Sequence, residues 1–142
     1  MAYALGLHDT DTARMMTYTT TVPLRWSDLD AVGHVNNAVY LTLCEQCRIE
    51  AFESLGAADW SESGPVIVAV SIQYLRPITV AGDAEVSVTF GAPGRTSIPT
   101  THDVRFEGET CATAEITIVW VDHATGRPTP VPELVRERLA EG

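Results

Sequence analysis

One stretch of helical periodicity, set among segments of strand periodicity, constrains this chain more than any other feature. Apolar residues recur at Tyr40, Leu43, Cys44, Cys47, Ala51 and Leu55, the three-to-four spacing of one helix face. Asn36 or Asn37 can cap the start, and Gly56 is a natural C′ residue at the end. The spacing therefore predicts one long helix running to about Leu55. Glu45 and Arg48, three apart, are expected to pair on a second face.

The remaining segments have period two. Thr17 to Arg25 is rich in Thr, Tyr and Val and reads as a strand, with Pro23 marking an edge position or a bulge. Val66, Val68, Val70, Ile72 and Tyr74 alternate with Ile67, Ala69, Ser71 and Gln73, so both faces are largely apolar. That pattern predicts a mid-sheet strand beneath the helix. Val86, Val88 and Phe90 alternate with Glu85, Ser87 and Thr89, a half-buried strand. Ser97 to Phe106 and Thr110 to Val121 read as two more strands about a Glu107-Gly108-Glu109 hairpin turn. Pro132 can open a short last helix to Ala140. Short turns imply antiparallel neighbours, so the fold class is α+β. A single long helix cannot cover both faces of a five-stranded sheet, and the uncovered face invites a partner subunit. Residues 1–16 are polar and aperiodic, and are expected to form a flexible N-terminal extension ahead of a domain spanning 17–142.

Composition enters mainly through what it excludes. The chain has 142 residues, a length that fits one domain. Its net charge is −10, and all nine basic residues are arginines, so it lacks the basic stripe that nucleic acid requires. No apolar run approaches the ~18 residues of a membrane span. Met1 to Thr17 lacks the apolar core of a secretory signal. Cys44, Cys47 and Cys111 do not form a disulfide framework, and a reducing, cytoplasmic setting is expected. The four histidines show no metal-ligand spacing, and no metal is expected. An anionic substrate would need local cations, for which Arg76, Arg95 and Arg127 are candidates.

The chemistry is concentrated between Arg25 and Tyr40. Asp30 stands just before the expected helix start, and Gly33 permits close approach of backbone to ligand. First-turn amides are unsatisfied and lie at the positive end of the helix dipole, where they can hold a developing oxyanion. A carboxylate facing such amides suits acyl transfer. Asp28 reads as a structural hydrogen-bond acceptor and His34 as an orienter or a base that tunes water. Tyr40 falls on the helix core stripe, where packing accounts for it. Thr96 and Ser97 follow a Gly/Pro turn, and Cys44-x-x-Cys47 lies inside the helix and reads as core. Asp28-Leu29-Asp30-Ala31-Val32 also matches the Asp-x-Asp-x-Val pattern of a phosphatase class, but the chain has no lysine to complete that site.

Asp28-Leu29-Asp30, Gly33-His34-Val35-Asn36-Asn37, Tyr40, Glu45 and Arg48 together resemble the 4-hydroxybenzoyl-CoA thioesterase family of hotdog-fold proteins. The His-Val-Asn-Asn run is also similar to acyl-ACP thioesterases. The likeness extends over about residues 17–140, through Arg76-Pro77, Gly82-Asp83 and Arg95-Thr96-Ser97. It implies a hotdog fold, one long central helix wrapped by a curved five-stranded antiparallel sheet. It also implies a homodimer or homotetramer with the site at a subunit interface, and hydrolysis of an acyl-CoA thioester. Asp30 would be nucleophile or base, with His34 beside it. Gly33, Asn36, Asn37 and Tyr40 would hold the thioester oxygen and substrate, and Thr96 and Ser97 would lie near the thioester. Coenzyme A would enter only as part of the substrate, with no separate cofactor. An acyl-ACP thioesterase and a non-catalytic acyl-thioester-binding protein are the competing readings.

Overall fold

A computed structural model describes residues 16–142. The strands are β1 (Met16–Leu24), β2 (Ser63–Tyr74), β3 (Gly82–Phe90), β4 (Ser97–Phe106) and β5 (Glu109–Asp122); the helices are α1 (Val39–Ser54) and α2 (Glu133–Glu141). The strands form one antiparallel sheet in the order β1-β3-β4-β5-β2. The expectation for residues 1–16 lies outside the described residues apart from Met16, which opens β1 opposite Phe90.

The α1 helix packs across β1, β3 and β4. Its stripe of Tyr40, Leu43, Cys44, Cys47, Ala51 and Phe52 is buried. Alternate residues of the sheet complete the core: Val86, Val88 and Phe90 from β3, Ile98 and Val104 from β4, and Ile116, Ile118 and Trp120 from β5. Phe52 meets Phe90 and Trp120 edge-on, with ring centroids 5.3 and 5.8 Å apart. The helix ends as expected. Gly56, at φ 67°, lets its own amide bond Glu53 O while the Ala57 amide reaches back to Phe52 O. The β4–β5 hairpin turns on Glu107 and Gly108, both at positive φ, the two-residue geometry that matches strand twist.

Three expectations need correction. First, α1 has 16 residues and begins at Val39. The Asn36 side chain closes a local turn onto the Ala38 amide (2.9 Å) and does not cap a helix beginning at 37. Second, β2 is not mid-sheet. Among the described residues it is an edge strand, and Val66, Ile67, Val68, Val70 and Tyr74 are 39–57% exposed. An apolar pattern on both faces signals burial on both faces, and this chain does not supply it by itself. Third, Glu45 and Arg48 form no ion pair within 4 Å; Arg48 turns inward and is buried. Pro23 does lie on an edge strand, β1, as its missing N–H requires.

Candidate active site

The loop between β1 and α1 is a small hairpin in its own right. Leu29 and Val35 form an antiparallel bridge, the Asp30 amide bonds His34 O (2.8 Å), and the Gly33 amide bonds Asp30 O (3.0 Å). Gly33 occupies the left-handed region at φ 81°, which a residue with a Cβ would enter only under strain. The fold of the loop sets Asp30 and His34 on either side of one turn.

The two aspartates take different roles. Asp28 Oδ2 accepts from the Arg25 amide (2.8 Å), Oδ1 pairs with the Arg25 guanidinium (3.3 Å), and the backbone oxygen accepts from the Asn36 amide. The Arg25 amide above all holds this carboxyl below the usual carboxylate range. Asp28 is thus a structural anchor, as its sequence position suggested. Asp30 is exposed; its Oδ1 accepts from the Val32 amide (2.9 Å), and Oδ2 has no partner among the described residues.

Behind the loop lies a cleft of about 260 Å³ bordered by His34, Asn37 and Tyr40 on one side and Tyr74, Arg76 and Pro77 on the other. The Val35 amide bonds Ile78 O (2.8 Å), which ties the loop to the segment after β2. The Tyr74 hydroxyl donates to Asn37 O (2.9 Å), and the Tyr40 and Tyr74 rings meet edge-on at 5.1 Å. The amides on either side of Asn37 are occupied: Asn36 bonds Asp28 O, and Ala38 bonds the Asn36 side chain. The Asn37 amide has no acceptor among the described residues.

Of the residues singled out from sequence, the structure brings His34, Asn37 and Tyr40 to one cleft, with Asp30 and Gly33 on the adjoining loop tip. Asn36 is engaged locally through its side-chain oxygen, amide and carbonyl. Thr96 and Ser97 are elsewhere. Ser97 begins β4, whereas Tyr74 aligns through Ala112 with Val104, seven residues along, or roughly 24 Å at strand rise. Tyr74 was not singled out: its hydroxyl bond crosses 37 positions, and within its strand it reads only as an apolar alternate. Arg76, at the cleft edge, is paired with Glu109.

The thiols lie outside this chemistry. Cys44, Cys47 and Cys111 are free and buried, and burial pushes Cys44 up to about 11 and Cys47 up to about 12.

A hairpin loop presenting a carboxylate, beside a free amide at the mouth of a helix, is an acyl-transfer arrangement, and comparison with known proteins agrees. The thioesterase-like superfamily matches residues 24–139. The chain belongs to that superfamily. Long-chain acyl-CoA thioesterase FadM of Escherichia coli is 29% identical over 129 residues, 86% of this chain and 96% of that protein. A 1,4-dihydroxy-2-naphthoyl-CoA hydrolase of Synechococcus elongatus is 26% identical over 82% of this chain and 90% of its own length. Among solved structures, a Thermus thermophilus thioesterase complexed with coenzyme A and zinc superposes with a TM-score of 0.76 and 37% identity. That match covers 86% of this chain and 96% of the other. The superfamily is therefore matched by the loop that carries the chemistry as well as by the sheet.

Proposed function

We propose that this protein hydrolyses acyl-CoA thioesters to free acid and coenzyme A. The observation that carries the reading is the unpartnered Asn37 amide at the wall of the cleft, one hairpin away from the Asp30 carboxylate. The thioester oxygen would accept from that amide and gain negative charge there as the carbonyl carbon becomes tetrahedral. Asp30, with Oδ2 open, attacks that carbon or takes a proton from the water that does. The C–S bond then breaks, and the thiolate, with a pKa of roughly 8.5 in a cysteine reference, leaves with little help from an acid. His34, on the same turn, orients the water. FadM and the naphthoyl-CoA hydrolase, named for CoA substrates, support CoA as the carrier.

The working unit in this reading is a homo-oligomer. Two β2 edges pairing about a two-fold axis would cover the apolar residues that one chain leaves exposed. The pairing would also carry the Thr96–Ser97 end of one copy to the end of the joint sheet that holds the Asn37 loop of the other. A cytoplasmic setting fits three buried, unpaired thiols, and no helix among the described residues is long and apolar enough to cross a membrane.

The test is a panel of acyl-CoA esters read with a thiol reagent, on the native protein and on Asp30→Asn. Native turnover with at least a ~100-fold fall in kcat for the variant is expected. Near-normal turnover in Asp30→Asn, with loss in His34→Ala, would move the chemistry to histidine. Tight binding with no thiol release would make this an acyl-thioester-binding protein.

A further inference from the structure

A second cleft, of about 360 Å³, opens where the C-terminal half of α1 faces the start of β2. Phe52, Trp60, Val66 and Ile67 give it apolar walls, and Arg48 and Glu45 are its charged members. Arg48 is only 6% exposed, and its Nη1 is buried with no hydrogen-bond partner. No described residue forms a hydrogen bond or ion pair with it. The neighbour beneath is no counter-charge. Thr100 Oγ1 gives its proton to Ile116 O (2.7 Å), so His102 Nε2 must be the donor in their 3.1 Å contact. That leaves His102 neutral, and burial together with the Arg48 charge pushes its pKa down to about 3. A desolvated guanidinium with nothing to bind is costly, and an apolar side chain of the same length would serve packing better.

This cleft and the one beside Asn37 belong to one groove. α1 and β2 run side by side: Tyr74 touches Asn37 at one end, and Val66 and Ile67 face Arg48 at the other. From Tyr40 to Arg48 is eight residues, about 12 Å of helix. We infer that Arg48 recognises an oxygen acceptor carried near the far end of an extended acyl chain whose thioester lies beside Asn37. A mostly apolar groove with one directed cation suits such a chain. Glu45, on the rim of the same cleft, can accept from a terminal hydroxyl, whereas a terminal carboxylate would rely on Arg48 alone. The inference rests on the thioesterase reading and adds to it a selection for oxygenated chains.

Three CoA esters of equal length test it: decanoyl, ω-hydroxydecanoyl and ω-carboxynonanoyl. In the native protein, kcat/KM for one or both oxygenated esters should exceed that for decanoyl by about tenfold or more, the scale of a hydrogen bond to a charged group. In Arg48→Met the ratio should collapse toward one. Should that variant fail to fold, Arg48→Gln and the native ratio decide. Equal or better use of decanoyl by the native protein, or an unchanged ratio in the folded variant, overturns the inference and leaves the reaction standing. No turnover of any ester by the native protein removes the reaction itself, and the selection with it.

Discussion

Tyr74→Phe separates positioning from folding at the candidate site. The change deletes one hydroxyl and keeps the ring that meets Tyr40 at 5.1 Å. What is lost is the 2.9 Å bond to Asn37 O. Tyr74 is 44% exposed, so water can reach the freed carbonyl and no buried group is orphaned. The stability cost is then that of an ordinary hydrogen bond, about 0.5–1.5 kcal/mol. For a domain of this size that is a fall of a few degrees in Tm, roughly 2–6 °C. The catalytic cost should be larger in proportion. The same residue supplies the free amide, and misplacing a catalytic group by ~1 Å can cost on the order of 100-fold. We expect kcat on the best acyl-CoA ester to fall about tenfold or more, with KM changed much less. Thermal unfolding and steady-state kinetics on one preparation give both numbers. A Tm loss in the stated range with kcat within twofold of native would show that Tyr74 only staples β2 to the loop, and that the amide's position does not depend on it.

Asp28→Ala should cost about 1–2 kcal/mol through loss of the Arg25 bonds while sparing kcat relative to Asp30→Asn, as chemical denaturation beside kinetics will show. The native contribution of Asp28 is present above its unfolded pKa and is lost as acid titrates the carboxyl below the usual range, so the Asp28→Ala difference should shrink in strong acid. His102 acts with the opposite charge type. Its folded pKa of about 3 lies below the model value of 6.5, so the unfolded chain binds the extra proton, and stability should fall as pH drops from 6.5 toward 3. Melting curves across that window should be flatter for His102→Gln, and equal slopes would refute the assignment. Sedimentation at micromolar concentration should give at least twice the 15.4 kDa chain mass, and Val68→Glu on the exposed β2 face should reduce it.

Local patterns were legible and long-range ones were not. Alternation in β3 and β5 and the stripe of α1 identified the buried faces, because each reports on neighbours one turn or one pleat away. The position of β2 was misread because alternation records how much burial a strand needs, without saying whether its own helix or a second copy supplies it. The start of α1 was placed early because Asn36 serves a two-residue turn as well as it serves a cap. At the site, Asp28, Asp30 and Gly33 sit in one local hairpin and could be sorted from their spacing. Tyr74 could not, since its bond to Asn37 depends on β2 folding back along α1. Arg48 was misassigned for a related reason. A partner three residues away on the same helix is visible in sequence, whereas the guanidinium's turn inward toward His102 depends on β4 lying underneath.

The two margins of the sheet are unlike. β2 offers an open row of backbone donors and acceptors flanked by valine and isoleucine, whereas the margin at β1 carries Pro23, which has no N–H to give. Strand addition can therefore begin readily at only one side. When two chains meet there, each uses up the other's reactive margin, and the product shows only β1 at its ends. A chain this rich in β-structure thereby gains a stop against fibre growth, because the geometry that lets it pair once leaves no template for a third copy.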